Sequence, residues 1–316
     1  MDVGIQIEPQ LGFSFDGILA VAQEAERVGL RAIWLSDHLF LNRDSAGTSC
    51  LEAWSTLAAV AARTKDIRLG TMVTSQSYRN PARLAKIAAG VDHISRGRLE
   101  FGIGAGWKEL EYLAYGFEFP PPGTRVDQLV ETLEICTRMW TEDRASFEGK
   151  HYRIVDAQCS PQPVQRPLPI WIGGRRPRIM RIAARWAQAF NWLPEGGFPT
   201  PEATRAGMRE LDDVCRAAGR DPSTLRHSVF LYVVVAEDDS AAHRIVESVA
   251  ERARASPAEW RRARPGAIVG SPDRVAQGLR AHAAGGAQDA NIMLPYGHEL
   301  EMTRLLGERV APSLGG

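Results

Sequence analysis

Apolar positions along this chain change period repeatedly. Val3–Ile7, Ala32–Leu35, Ile67–Val73, Leu99–Ile103, Pro169–Ile172, Ala189–Leu193, Val229–Ala236 and Ala290–Leu294 are short apolar runs of strand length. Between them the spacing turns helical. In Ser14–Gly29, the residues Ile18, Leu19, Ala22, Ala25 and Val28 share one helical face, and the glycine ends it. Leu51–Thr64 reads as an alanine-rich helix. Asn80-Pro81 opens another that runs to about Ile94, with proline at the first helical position. Further helices are predicted over Arg125–Trp140, Arg178–Ala187, Glu202–Gly219, from about Ser240, over Pro272–Ala284 and over Glu299–Val310. Phe147–Gln165, with Gly149, Pro161 and Pro163, reads as a loop, and 253–270 as an insertion.

Strands alternating with helices imply parallel βαβ units. Eight such strands fit a closed (β/α)8 TIM barrel, an α/β fold, better than an open sheet. The expectation is one domain over 1–316, with insertions at the C-terminal face in 108–125, 141–168 and 253–270. No internal repeat or linker interrupts the pattern.

Composition narrows the function classes. The 316 residues are 44% hydrophobic and 24% charged, which excludes disorder as the main state. Thirty-eight basic and 38 acidic residues leave a formal net charge of zero, so nothing global favours a nucleic acid or an anionic membrane. No apolar run approaches ~18 residues, the length of a transmembrane helix. The start, MDVGIQIEPQ, lacks the basic and apolar regions of a signal peptide. Cys50, Cys136, Cys159 and Cys215 form no CxxC pair, so a cytoplasmic setting and no metal site are expected.

In a barrel of this kind the chemistry sits at the C-terminal ends of the strands. The second predicted strand ends in Ser36-Asp37-His38, the third in Thr71-Met72-Val73-Thr74, the fourth in Gly104-Ala105-Gly106-Trp107, the fifth in Gly173-Gly174-Arg175, and the sixth carries Trp192. Glycine turns let backbone approach a ligand, and a following helix N-terminus suits a phosphate. A tight βα turn explains such glycines equally well taken singly. GxGxxG fails, because Trp107 takes the place of the third glycine. His38 is the only histidine at a predicted strand end on that face and is the candidate proton-transfer group; a structural Asp-His pair or a metal fragment, the latter without a second ligand cluster to support it, are the alternatives.

Four segments carry a resemblance: IWLSDHLF at 33–40, LGTMVTSQSYRNPARLAK at 69–86, VDHISRGRLEFGIGAGW at 91–107 and PLPIWIGGRR at 167–176. In these the chain resembles the luciferase-like monooxygenase family of flavin and deazaflavin barrels, most closely the branch that uses coenzyme F420; related members use FMN. The resemblance implies a non-proline cis bond between Met72 and Val73, with Thr71-Met72-Val73 packed behind the cofactor ring. It implies Asp37, His38 and Ser75 beside the cofactor, and Gly104, Ala105, Gly106, Gly173, Gly174 and Arg175 around its phosphate. His38 would be catalytic. Trp107, Glu109 and Trp192 would line the substrate pocket, with Trp34 a further candidate wall. Sugar-phosphate dehydrogenases of the branch carry a glutamate where this chain has Trp107, with Glu109 and Glu111 shortly after, which argues against a sugar phosphate.

The implied activity is hydride transfer between the deazaflavin C5 and a small organic substrate. An FMN-dependent monooxygenase served by a separate flavin reductase is the alternative, and a non-catalytic flavin-binding protein a third. Leu51–Thr64 has apolar or small residues on nearly every face (Ala53, Trp54, Leu57, Ala58, Val60, Ala61), so a homodimer is expected.

Overall fold

A computed structural model describes residues 1–315. Eight parallel strands follow one another around the sheet: Asp2–Ile7, Ala32–Leu35, Arg68–Thr71, Leu99–Gly104, Ile170–Gly174, Ala189–Trp192, Arg226–Val235 and Asp289–Met293. The eighth pairs with the first, from Asp289 opposite Asp2 to Met293 opposite Gln6, which closes the (β/α)8 barrel. The helix Phe15–Arg27 follows the first strand, and Pro81–Ile94 follows the third, capped by the Asn80 side chain on the Ala82 and Arg83 amides. No helix among the described residues is long and apolar enough to cross a membrane.

Two compact units divide the chain. One holds Met1–Ile7, Asp16–Trp34 and everything from Gly173 onwards; the other holds Glu8–Phe15 and Leu35–Ile172. In the first unit, side-chain direction follows from register. Ser228 lies opposite Asn191 and accepts its amide at 2.9 Å; Val229 lies opposite Trp192. A Cβ on Gly207, in the helix Pro201–Ala217, would fall 2.4 Å from the Trp192 ring. Trp192 and Val229 therefore face the helices, and Asn191, Ser228, Phe230 and Tyr232 face the barrel interior. Asn291 donates to Gln6 Oε1 at 3.0 Å on that same inner side. Trp34 fills interior space over the first strand, since a Cβ on Gly4 would meet its Nε1 at 2.8 Å.

In the second unit a buried Arg98 ties the helix Ala53–Arg63 to the strand ends. Its guanidinium donates to the carbonyls of Ala61, Thr64, Ile67 and Ser95 and to the Thr64 hydroxyl, at 2.7–3.1 Å. Those bonds satisfy carbonyls that the helix end leaves open. The larger apolar residues of that helix are covered by the chain itself: Ala53, Trp54, Leu57, Val60 and Ala61 are all buried, whereas Ala58 and Ala59 are half-exposed and Ala62 is exposed.

Three segments differ from the sequence reading. Phe147–Gln165 is not all loop: Ala145–Glu148 and Arg153–Ala157 form a hairpin, its turn fixed by the Glu131 carboxylate on the amides of Lys150, His151 and Tyr152. The strands are short and mostly exposed, so they lack the apolar run that marks a buried strand. The 253–270 insertion contains the helix Pro257–Arg262, closed by a Ser256–Glu259 capping box, and the strand Ile268–Gly270. The last regular helix ends at Leu305 and continues as a wider turn over Leu306–Val310.

Burial depresses His282, on the helix Pro272–Ala284, to about 4 from 6.5; its Nδ1 pairs with the Thr204 hydroxyl at 2.8 Å. A histidine held neutral in the fold but free to charge when unfolded costs stability as pH falls from 6.5 towards 4. Relative to His282→Gln, the parent should lose about 3 kcal/mol across that window. Urea unfolding of both proteins at several pH values measures it; a parent-minus-variant difference that stays flat refutes the assignment.

Candidate active site

The third strand stops at Thr71, and the Met72–Val73 peptide bond is cis, as the resemblance implies. The chain resumes pairing at Thr74–Ser75, opposite Ile103–Gly104. Thr71 spends its hydroxyl on the Gly102 carbonyl at 2.7 Å, and a Cβ on Gly102 would fall 1.7 Å from the Thr71 carbonyl oxygen. The two strands can approach this closely only at a glycine. Met72 and Val73 are left half-buried beyond the bend.

His38 does not pair with its neighbour Asp37. Its Nδ1 lies 3.0 and 3.1 Å from the two carboxylate oxygens of Glu111, on the short helix Glu109–Ala114. Glu111 is fully buried and accepts from the Leu39 amide at 3.0 Å, the Phe40 amide at 3.4 Å, the Tyr78 hydroxyl at 2.6 Å and the Lys108 ammonium at 3.0 Å. Burial opposes its charge, but the bonds from His38, Tyr78 and Lys108 outweigh it and hold the carboxyl at about 2. The same contact, with burial, pushes the Tyr78 phenol up, so the phenol stays a donor. An ionised carboxylate beneath Nδ1 fixes the proton there and leaves Nε2, which has no partner among the described residues, to exchange one. Trp107 stands edge-on to the imidazole at 5.6 Å and is 70% exposed.

Asp37 is buried and bound twice by Arg79, at 2.6 and 2.9 Å, and by the Thr74 hydroxyl, which also accepts from Trp54 Nε1 at 2.9 Å. Arg79 reaches on to Glu52, the cap of the helix Ala53–Arg63. The Asp37 carboxylate therefore fastens the His38 segment to the framework.

At the fourth strand's end Gly106 has φ +78°, and a Cβ there would lie 1.8 Å from the Tyr112 hydroxyl and 2.6 Å from Ser75 Oγ. Those hydroxyls are 2.8 Å apart, and Arg125 Nε donates to the Gly106 carbonyl at 3.2 Å. Bare backbone beside two hydroxyls suits a phosphate group, so Gly104, Ala105, Gly106 and Ser75 fit a phosphate-bearing cofactor. In the other unit, Gly173 and Gly174 precede the helix Pro177–Trp186, whose N-cap residue Arg176 makes no side-chain capping bond. A Cβ on Gly174 would press on Ile179 Cγ2 at 2.8 Å, so that glycine also serves helix packing. Arg175 and Arg176 both lie by the exposed Glu195 carboxylate, at 3.9 and 3.2 Å.

Of the expected pocket residues, Trp107 meets His38, whereas Trp192 packs beneath a helix. Glu109 is exposed. Two residues along a helix turn the side chain by about 200°, so Glu109 and Glu111 cannot both face inward, and Glu111 is the one that does. Its role, with those of Tyr78, Lys108 and Arg79, was absent from the sequence reading. The signal available was the Glu-Leu-Glu-Tyr run just after the glycines.

A family model described as luciferase-like monooxygenase matches residues 2–289. The chain is 32% identical over 240 residues to the F420-dependent hydroxymycolic acid dehydrogenase of Mycobacterium tuberculosis, covering 73% of this chain and 62% of that protein. It is 34% identical over 175 residues to the F420-dependent glucose-6-phosphate dehydrogenase of Amycolatopsis mediterranei, covering 55% of this chain and 52% of that protein. These alignments thus span between half and two-thirds of the relatives' lengths. An F420-dependent secondary alcohol dehydrogenase, solved in complex with an F420-acetone adduct, superposes with a TM-score of 0.84 at 19% identity, over 100% of this chain and 99% of that one.

Because Glu111 is held at about 2 against an ordinary 4.5, its contribution to stability is complete above pH 4.5 and disappears as pH falls through 2. Glu111→Gln leaves several donors facing one carbonyl oxygen and an amide. It should cost about 3 kcal/mol at neutral pH and remove that part of the acid sensitivity. Urea titrations at pH 7, 4.5 and 3 read both effects; an unchanged acid slope overturns the assignment.

Proposed function

The chain belongs to the luciferase-like monooxygenase family, and on that premise we propose that it is an oxidoreductase that uses coenzyme F420 to exchange a hydride with a small organic substrate. The observation that carries the reading is His38 seated on the ionised, buried Glu111 with its second nitrogen free. The coenzyme named for the relatives supports the choice of F420 over FMN.

When bound, the deazaflavin supplies a hydride donor and acceptor at its C5. His38 Nε2 takes the proton from a substrate hydroxyl during oxidation, or returns it during reduction of the carbonyl. Glu111 sets the imidazole tautomer and stabilises the imidazolium once the proton has arrived. Met72 and Val73 support the ring, and Asp37 acts from behind by anchoring the segment that carries His38. Gly104, Ala105, Gly106 and Ser75 would hold a phosphate group of the cofactor; Gly173, Gly174 and Arg175, in their own unit, are a second glycine turn proposed as cofactor-binding. Trp107, edge-on to the imidazole, would line the substrate side of His38. With tryptophan where the sugar-phosphate enzymes have glutamate, the reading favours a substrate other than a sugar phosphate.

Absorbance titrations with F420 and FMN, followed by a panel of small alcohols and ketones, test this. F420 should bind in preference to FMN and be turned over. His38→Ala should lower turnover by roughly 10²–10⁴-fold while cofactor affinity stays within a few-fold of the parent. Preferential binding of FMN, or turnover by the variant within a few-fold of the parent, defeats the reading.

A further inference from the structure

A second group of functional side chains stands in the unit that runs from Gly173 onwards. Tyr232 and Phe230 point from the seventh strand to the barrel interior, as the register above requires. Phe198 packs on both, with ring centroids 5.4 Å from Phe230 and 5.2 Å from Tyr232. The short helix Pro257–Arg262 brings Trp260 edge-on to Tyr232 at 5.5 Å. The Arg264 guanidinium lies over both rings, 5.3 Å from the Tyr232 centroid and 4.9 Å from that of Trp260.

The hydrogen-bond inventory of this cluster is unbalanced. Trp260 is 2% exposed, yet its Nε1 has no partner, and neither does the buried Nε of Arg264. The Tyr232 hydroxyl has none among the described residues either, and burial pushes its phenol up to about 12, so it too is a donor. Buried donors without acceptors are rare and unfavourable. Here two of them, Trp260 Nε1 and Arg264 Nε, share one aromatic box with the unpartnered Tyr232 hydroxyl, and the guanidinium brings a permanent positive charge. The surrounding charge is also positive: Arg252 and Arg264 act on Tyr232 against the single Glu299. Glu299 is already engaged by the Gly297 amide at 2.8 Å and is pushed up to about 7 by burial. Phe230 is only half-buried, so the box is not filled by the chain itself.

We propose that this cluster is a binding site for a small aromatic carboxylate, with the carboxylate on Arg264, Trp260 and Tyr232 and the ring against Phe198 and Phe230. A carboxylate supplies acceptors without donors, which is what the indole N–H, the phenol and the guanidinium lack. A cation would be repelled, and a neutral amide would present its own N–H groups to the donors. The flanking rings call for a flat apolar body.

Calorimetric titration of the full chain with benzoate, benzamide and benzylamine, with and without F420, tests it without any need for turnover. Benzoate should bind, benzamide at least about ten-fold more weakly, and benzylamine not at all. Arg264→Gln should weaken benzoate by roughly 10–100-fold, the loss expected for one charged hydrogen-bond partner. Trp260→Phe keeps the packing and removes one N–H, and should weaken benzoate by roughly three- to ten-fold. Arg185→Gln, at another guanidinium over a tryptophan ring, should leave binding unchanged. Benzoate affinity that is absent, equal to that of benzamide, or untouched by both Arg264→Gln and Trp260→Phe overturns the site. A chain that binds benzoate this way but never turns over F420 loses the activity proposal and keeps the site.

Discussion

One buried carboxylate organises the candidate active site. Glu111 collects donors from the segment after the second strand, from the segment after the third, and from its own helix, through His38, Leu39, Phe40, Tyr78 and Lys108. A charge without water is tolerable only when such bonds replace its hydration. Each donor is held in place by the need to satisfy it. His38 therefore acquires both position and tautomer from a residue 73 positions away. The aromatic stack behind it, Tyr78 on Phe117 at 5.3 Å and Phe117 on Tyr112 at 6.4 Å, keeps the surroundings apolar and the electrostatics strong.

Asp37 and His38 show how adjacent residues divide two tasks. Asp37 is locked by Arg79 and Thr74 into a network that runs to the cap of the helix Ala53–Arg63. His38 meets Glu111 and Trp107 instead. A structural Asp-His pair, one of the readings open from the sequence, does not form. The aspartate's chemistry is used to fix the backbone, and the histidine's proton-exchange capacity is kept free.

Much of the framework was legible from the sequence, because period and glycine punctuation carry it. Ala32–Leu35 and Pro272–Ala284 appear within the bounds their apolar spacing predicted, and the remaining barrel strands shift by at most a few residues. What stayed hidden depends on partners distant in sequence. The choice between Glu109 and Glu111 turns on helical phase in a six-residue helix that too short a pattern could not reveal. Trp192 looked like a pocket wall because it ends a strand, yet strand alternation sends it under Gly207. The exposed hairpin at Ala145–Ala157 lacks the apolar run that reports burial, and its turn depends on Glu131, which lies in the preceding helix.

The Glu111 cluster and the Arg264 cluster treat their polar groups differently. Around Glu111 every carboxylate oxygen is engaged, so geometry there is set by the protein alone. Around Arg264, donors lack acceptors although the cluster is tightly boxed by rings. A fold under no other demand would replace Trp260 by phenylalanine and Arg264 by an apolar residue, gaining the desolvation energy of both groups. In the binding site proposed above, a carboxylate supplies the acceptors that the chain itself does not.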